Sequence, residues 1–132
     1  FSIYYGAVRI NGADAPPGTL VEMYSPRGDR VGCVTAVGGI YPYTRAYGED
    51  TGATPPIPGM RAGEAVTFKV NGLIATTVPA SVIWQDDKAT HRVDLSITLP
   101  TATPSRTLTV TLSPKTPTAT RTPTLTPSRT PT

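Results

Sequence analysis

The chain has one cysteine, Cys33, and one histidine, His91, among 132 residues. A lone thiol excludes an intrachain disulfide and a cysteine-based zinc site. No stretch approaches the roughly 18 to 20 apolar residues that a membrane helix needs, so no membrane span is expected. Apolar residues nowhere keep a spacing of three to four for long enough to make a helix. The 15 Pro and 12 Gly leave little room for one. Acids are missing from one end of the chain. All nine lie before residue 100, whereas Arg106, Lys115, Arg121 and Arg129 stand beyond it unopposed. The other eight Lys and Arg lie in the first 99 residues, so the body is near neutral and the formal +3 belongs to the tail. Four dispersed cations with no aromatic beside them do not make a nucleic-acid arm, and no nucleic-acid partner is expected.

Chemical motifs are scarce as well. There is no Gly-x-Ser-x-Gly elbow for a nucleophilic serine and no phosphate-cradling Gly loop. "THRVDL" puts His91 at the start or edge of a strand, off the side of Val93. Asp86 and Asp87 in "WQDDKAT" read as a hairpin turn rather than paired catalytic or calcium-binding carboxylates. "GEDTG", around Glu49 and Asp50, lacks the regular Asp spacing of a calcium loop. Arg27-Gly28-Asp29 spells an adhesion tripeptide, but after "YSP" it is read as turn chemistry. No catalytic residue, metal or cofactor is expected, and the chain is read as a non-enzyme.

What is present is alternation with a period of two, the strand signal. "SIYYGAVRI" puts Tyr4, Val8 and Ile10 on one face, and "TLVEMY" returns after the breaks at Asn11–Gly12 and Ala15–Gly18. "VGCVTAV" and "GIYPYTRAY" follow, with Cys33 read as a small buried hydrophobe. Tyr41, Tyr43 and Tyr47 are read as one face, a core stripe in preference to an exposed aromatic strip. Residues 48–63 form a Pro/Gly-rich loop. "EAVTFKV" sends Val66, Phe68 and Val70 inward, and Asn71–Gly72 turns the chain into "LIATTV". "HRVDLSITL" closes the body with Val93, Leu95, Ile97 and Leu99 on its buried side. Seven such runs in about a hundred residues predict an all-β sandwich over 1–99.

Three stretches, "GAVRINGADAPPGTLVEMY", "GGIY" and "GEAVTFKVNG", resemble the transthyretin-like (prealbumin-like, carboxypeptidase regulatory-like) sandwich modules. In that pattern a Gly-x-Val strand leads through a small Gly/Pro turn to a second Val-rich strand, and a Gly-x-Tyr opens a later one. The resemblance covers roughly residues 3–99. It implies a seven- to eight-stranded sandwich of the transthyretin or immunoglobulin kind. It also implies an accessory, adhesive or structural role in a secreted protein. A strand-rich module before a Thr/Pro stalk is similar to many bacterial cell-surface proteins. Strand pattern beginning at once from Phe1 is read as the product of leader cleavage, hence an extracellular or cell-surface protein.

Residues 100–132 hold 13 Thr, three Ser and seven Pro, the composition of an extended, O-glycosylated stalk. No Asn-x-Ser/Thr sequon exists, because Asn11 and Asn71 are followed by Gly-Ala and Gly-Leu. O-linked glycans are therefore expected on Thr116, Thr118, Thr120, Thr122, Thr124, Thr126 and Thr130. One segment differs: "TLTVTL", 107–112, alternates Leu108, Val110 and Leu112 against three Thr. A lone six-residue strand is unstable in water and needs a sheet. It fits either as an eighth strand of its own sandwich or as a strand donated to a neighbouring subunit. A donated strand joins copies head to tail, which makes a filament when the contact does not close. The leading expectation is a structural subunit of an extracellular filament or surface layer, partnered by copies of itself. The alternative is a monomeric adhesion or carbohydrate-binding module on a glycosylated stalk.

Overall fold

The computed structural model describes residues 1–100, and among them there are strands and no helix. In chain order the strands are β1 (Ser2–Ile10), β2 (Ala13–Asp14), β3 (Leu20–Tyr24), β4 (Arg30–Thr35) and β5 (Ile40–Ala46). They continue as β6 (Thr67–Val70), β7 (Leu73–Ile74), β8 (Thr76–Val78), β9 (Thr90–Arg92) and β10 (Asp94–Ile97). β1 is the axis of a six-stranded sheet. It pairs antiparallel with β5 and β2, and parallel with β9 and β10, beyond which lies β8. The second sheet is antiparallel, in the order β4-β3-β6-β7.

The two sheets pack face to face as a β-sandwich. Tyr4, Val8, Tyr41 and Leu95 line one inner face, and Val21, Met23, Phe68 and Val70 the other, all fully buried. Across the gap the rings of Tyr4 and Phe68 meet edge to face with centroids 5.6 Å apart. Full burial of each such aliphatic or aromatic side chain contributes about 1.5 to 3 kcal/mol, so this layer is the main source of stability. Both Asn-Gly pairs make the predicted tight turns, with φ of 53° and 81° at Asn11–Gly12 and 49° and 85° at Asn71–Gly72. Two consecutive positive φ values are the type I′ geometry that matches strand twist.

Ten strands replace the seven read from sequence because three features break the simple runs. The predicted single strand 73–78 divides at Ala75: β7 stays with β6, and β8 crosses to pair with β10 in the other sheet. The last predicted strand divides at Val93 into β9 and β10, and the turn after Asn11 supplies β2. Leu99 lies beyond β10 and is 40% exposed, contrary to its predicted burial; its N–H is held by Asn11 Oδ1 at 2.8 Å. Cys33 also contradicts its reading, for it is exposed. β4 is an edge strand that turns Val31 inward and Cys33 to solvent.

Tyr41, Tyr43 and Tyr47 do not share a face. Tyr41 is buried, whereas Tyr43 is 69% and Tyr47 52% exposed. The cause is a register shift: Tyr4 pairs with Thr44 and Gly6 with Tyr41, so Pro42 and Tyr43 together oppose Tyr5. This is a bulge, and Pro is tolerated inside a sheet chiefly at such points because it donates no ladder hydrogen bond. Past it the inward phase changes from Tyr41 to Ala46.

Candidate functional site

Two regions hold the residues that the sequence offers for chemistry, and a third, on the surface, holds groups that it did not single out for it. The first gathers Ser2, Asp87 and His91 around the start of β1. Asp87 Oδ2 lies 2.8 Å from His91 Nε2, and its Oδ1 accepts from Ser2 Oγ at 3.1 Å and from the Ala89 N–H at 3.0 Å. The Gln85 carbonyl is a second acceptor within reach of the same Ser2 hydroxyl, which has one proton to give to the two. The carboxylate therefore sits between the serine and the histidine. A nucleophilic triad needs the histidine in that middle place, so the arrangement cannot activate Ser2. It acts as a clamp that ties the first strand to the 85–92 turn. His91, read as facing away from Val93's side or lying at the strand edge, sits on β9, which among the described residues pairs only with β1, and is half-buried against the Tyr4 ring at a centroid distance of 5.6 Å. The Tyr4 hydroxyl is buried without a hydrogen-bond partner among the described residues, and burial raises its pKa.

The second region is ionic. Arg27 bonds Glu64 and the Gly59 carbonyl, while Asp29 accepts from Ser25 Oγ at 3.2 Å. Both charged members of the Arg-Gly-Asp stretch are thus engaged inside a turn closed by Gly28 N to Ser25 O at 2.9 Å. Arg61 Nε meets Glu49 Oε1 at 2.8 Å and fastens the 48–63 loop. Asp50 accepts from the Gly52 N–H at 2.9 Å, a local turn. Among the described residues no three His, Cys, Asp or Glu side chains gather as metal ligands.

Five carboxyl groups in these regions and beside them are held below the usual range. The Arg27 hydrogen bond does this for Glu64, Arg61 for Glu49, Arg92 for Asp94, the Ala89 N–H for Asp87, and the Phe1 ammonium for Asp86. A folded-state pKa below the unfolded one gives stability that is present above the unfolded value and lost as pH falls through the folded one. The melting temperature is therefore expected to be level from pH 7 to about 5 and to fall below about pH 4. A melting temperature that rises on acidification would contradict these ion pairs.

The third region is the surface. Outside the six-stranded sheet, the rings of Tyr5 and Tyr43 touch with centroids 4.9 Å apart. Arg45 lies over the Phe1 ring at 4.8 Å, and Phe1 meets Tyr47 edge on at 6.2 Å. Sequence reading missed this ridge because strict alternation sent Tyr43 inward with Tyr41. Pro42 in mid-strand was the signal that the phase breaks there. On the opposite flank, β7 and β8 are terminal strands of their sheets, and Ile74 is 72% and Val78 67% exposed. The edge of β4 is instead partly covered by β5, through Tyr47 N–H to Val31 O at 3.0 Å.

Leu108, Val110 and Leu112 of the expected donor strand, and the expected glycosylation positions between Thr116 and Thr130, lie outside the described residues. No helix among the described residues is long and apolar enough to cross a membrane. No protein-family model, curated protein or solved structure matches the chain.

Proposed function

We propose that this chain is a structural subunit of an extracellular filament or surface layer, a transthyretin-like sandwich whose copies join by sheet-edge pairing. The β7–β8 edge carries the reading. Residues 73–78 contain no charge, Leu73, Ile74 and Val78 are exposed, and both strands end their sheets. Uncharged open edges are templates for a further strand unless charge or cover guards them. The alternating segment 107–112 of a second copy fits such an edge, and the Thr/Pro region beyond it, carrying O-linked glycans, forms the sheath.

Negative-stain imaging and light scattering of native material test this. Polymers are expected, with an intact mass per chain above 13.9 kDa from glycan. Ile74→Lys with Val78→Lys should leave monomers whose melting curve is unchanged, because both side chains are exposed. Val110→Asp should do the same. A wild-type chain that stays monomeric at high concentration overturns the filament reading. A melting temperature lowered by Val110→Asp in a monomer means that the segment completes its own sandwich. A second reading, a monomeric surface module that binds carbohydrate, is favoured by the ridge of exposed Tyr43 and half-buried Tyr5.

A further inference from the structure

The tyrosine ridge is flanked by two shallow depressions. One, of about 580 Å³, is lined by Tyr43, Arg45 and Arg30; the other, of about 360 Å³, by Tyr5, Arg9 and Arg92. Half of the eight basic residues of the body therefore surround two touching aromatic rings. Three of them have acid partners: Arg9 with Asp14 at 3.7 Å, Arg30 with Glu22 at 3.1 Å, and Arg92 with Asp94 at 3.0 Å. Arg45 has none among the described residues and rests on the Phe1 ring.

We propose that this face binds an acidic polysaccharide, with sugar rings stacked on Tyr43 and Tyr5 and carboxylates drawn to Arg45. The proposal rests on the surface-module reading and names its ligand class. Its first support is the bulge. Regular pairing would have turned Tyr43 inward, and the extra residue at Pro42 re-aims it to solvent, a common role of bulges at binding sites. An exposed tyrosine offers a flat apolar face to the C–H side of a pyranose and a hydroxyl to its rim. The second support is charge. Four arginines against three carboxylates leave the face at +1, while residues 1–99 as a whole carry eight bases and nine acids. So small an excess suits a polymer with spaced carboxylates. A nucleic-acid strand brings one charge per nucleotide and needs a more basic track. The two rings are packed on each other at 55°, which leaves no slot for a base between them.

Affinity electrophoresis of the full chain tests it, through gels containing hyaluronate (whose carboxylates fall on alternate sugars), dextran or single-stranded oligo(dT). Retardation by hyaluronate alone is expected. Tyr43→Ala should weaken it about tenfold, as should Arg45→Ala, both with unchanged melting curves. Tyr43→Ala is decisive because it keeps the charge of the chain, including the tail cations. Retardation that survives Tyr43→Ala overturns the site. Retardation by dextran, lost in Tyr43→Ala and indifferent to Arg45→Ala, overturns the acidic ligand while the surface-module reading stands. Stronger retardation by oligo(dT) overturns it in favour of nucleic acid, and no retardation in any gel overturns it together with the carbohydrate-binding reading.

Discussion

Replacing Gly6 with valine is expected to abolish the native fold. Gly6 lies in the middle of β1, flanked by β5 on one side and by β9 and β10 on the other. A Cβ there would stand 2.2 Å from the Val93 carbonyl oxygen and 2.7 Å from its carbon. The obstacle is backbone, so no rotamer change relieves it. The Val93 oxygen is also fixed, because it accepts the buried Tyr41 hydroxyl at 2.7 Å. Separating the strands would break that bond and the Val93 N–H to Tyr5 O contact of 2.8 Å together. Overpacking against movable side chains already costs about 1 to 3 kcal/mol. Against the axis strand of the sandwich the loss should exceed that range, a large part of the total stability of about 5 to 15 kcal/mol that domains of this size have. Circular dichroism in guanidinium should find no cooperative transition, or one shifted far to low denaturant. A midpoint near that of the wild type would mean that β9 and β10 are not held as described.

The elements that sequence reading found are those governed by local rules. Alternation located β1, β3 and β6, and the two Asn-Gly pairs located their turns, because period and positive φ are properties of neighbouring residues. What escaped depends on partners far away in the chain. Nothing local in "LIATTV" says that Ala75 is where the chain leaves one sheet for the other. The Ser2–Asp87 contact spans 85 positions, so the clamp at the start of β1 had no signature in either segment. The apolar run around Cys33 and the alternation of residues 93–99 place Cys33 and Leu99 inward. The first faces solvent on an edge strand, and the second lies past the end of β10. The tyrosine ridge falls between these cases: Pro42 marked the break in phase, but only the pairing of Tyr4 with Thr44 reveals which way Tyr43 turns.

Trp84 explains how the irregular segment between β8 and β9 holds its place, and removing it should be the most damaging change outside the strands. Its ring is buried and packs against Gly48, while Nε1 donates to the Ala46 carbonyl at 3.0 Å, at the end of β5. Its backbone takes part too: Trp84 N–H donates to Glu64 O at 2.8 Å, and Gly63 N–H to Trp84 O at 3.0 Å. One residue thus joins β5, the 48–63 loop and the approach to β6. Trp84→Ala removes a large buried ring, a change that costs about 3 to 5 kcal/mol in a core. It also strands the Ala46 carbonyl, and an unsatisfied buried acceptor adds about 1 to 3 kcal/mol. Trp84→Phe keeps most of the apolar contact and loses only the donor, so it should cost the smaller amount alone. The ratio of the two separates packing from hydrogen bonding. Trp84 is the only tryptophan in the chain, so the comparison needs circular dichroism rather than fluorescence. If Trp84→Phe proves as damaging as Trp84→Ala, the indole hydrogen bond, and not the ring, anchors the segment.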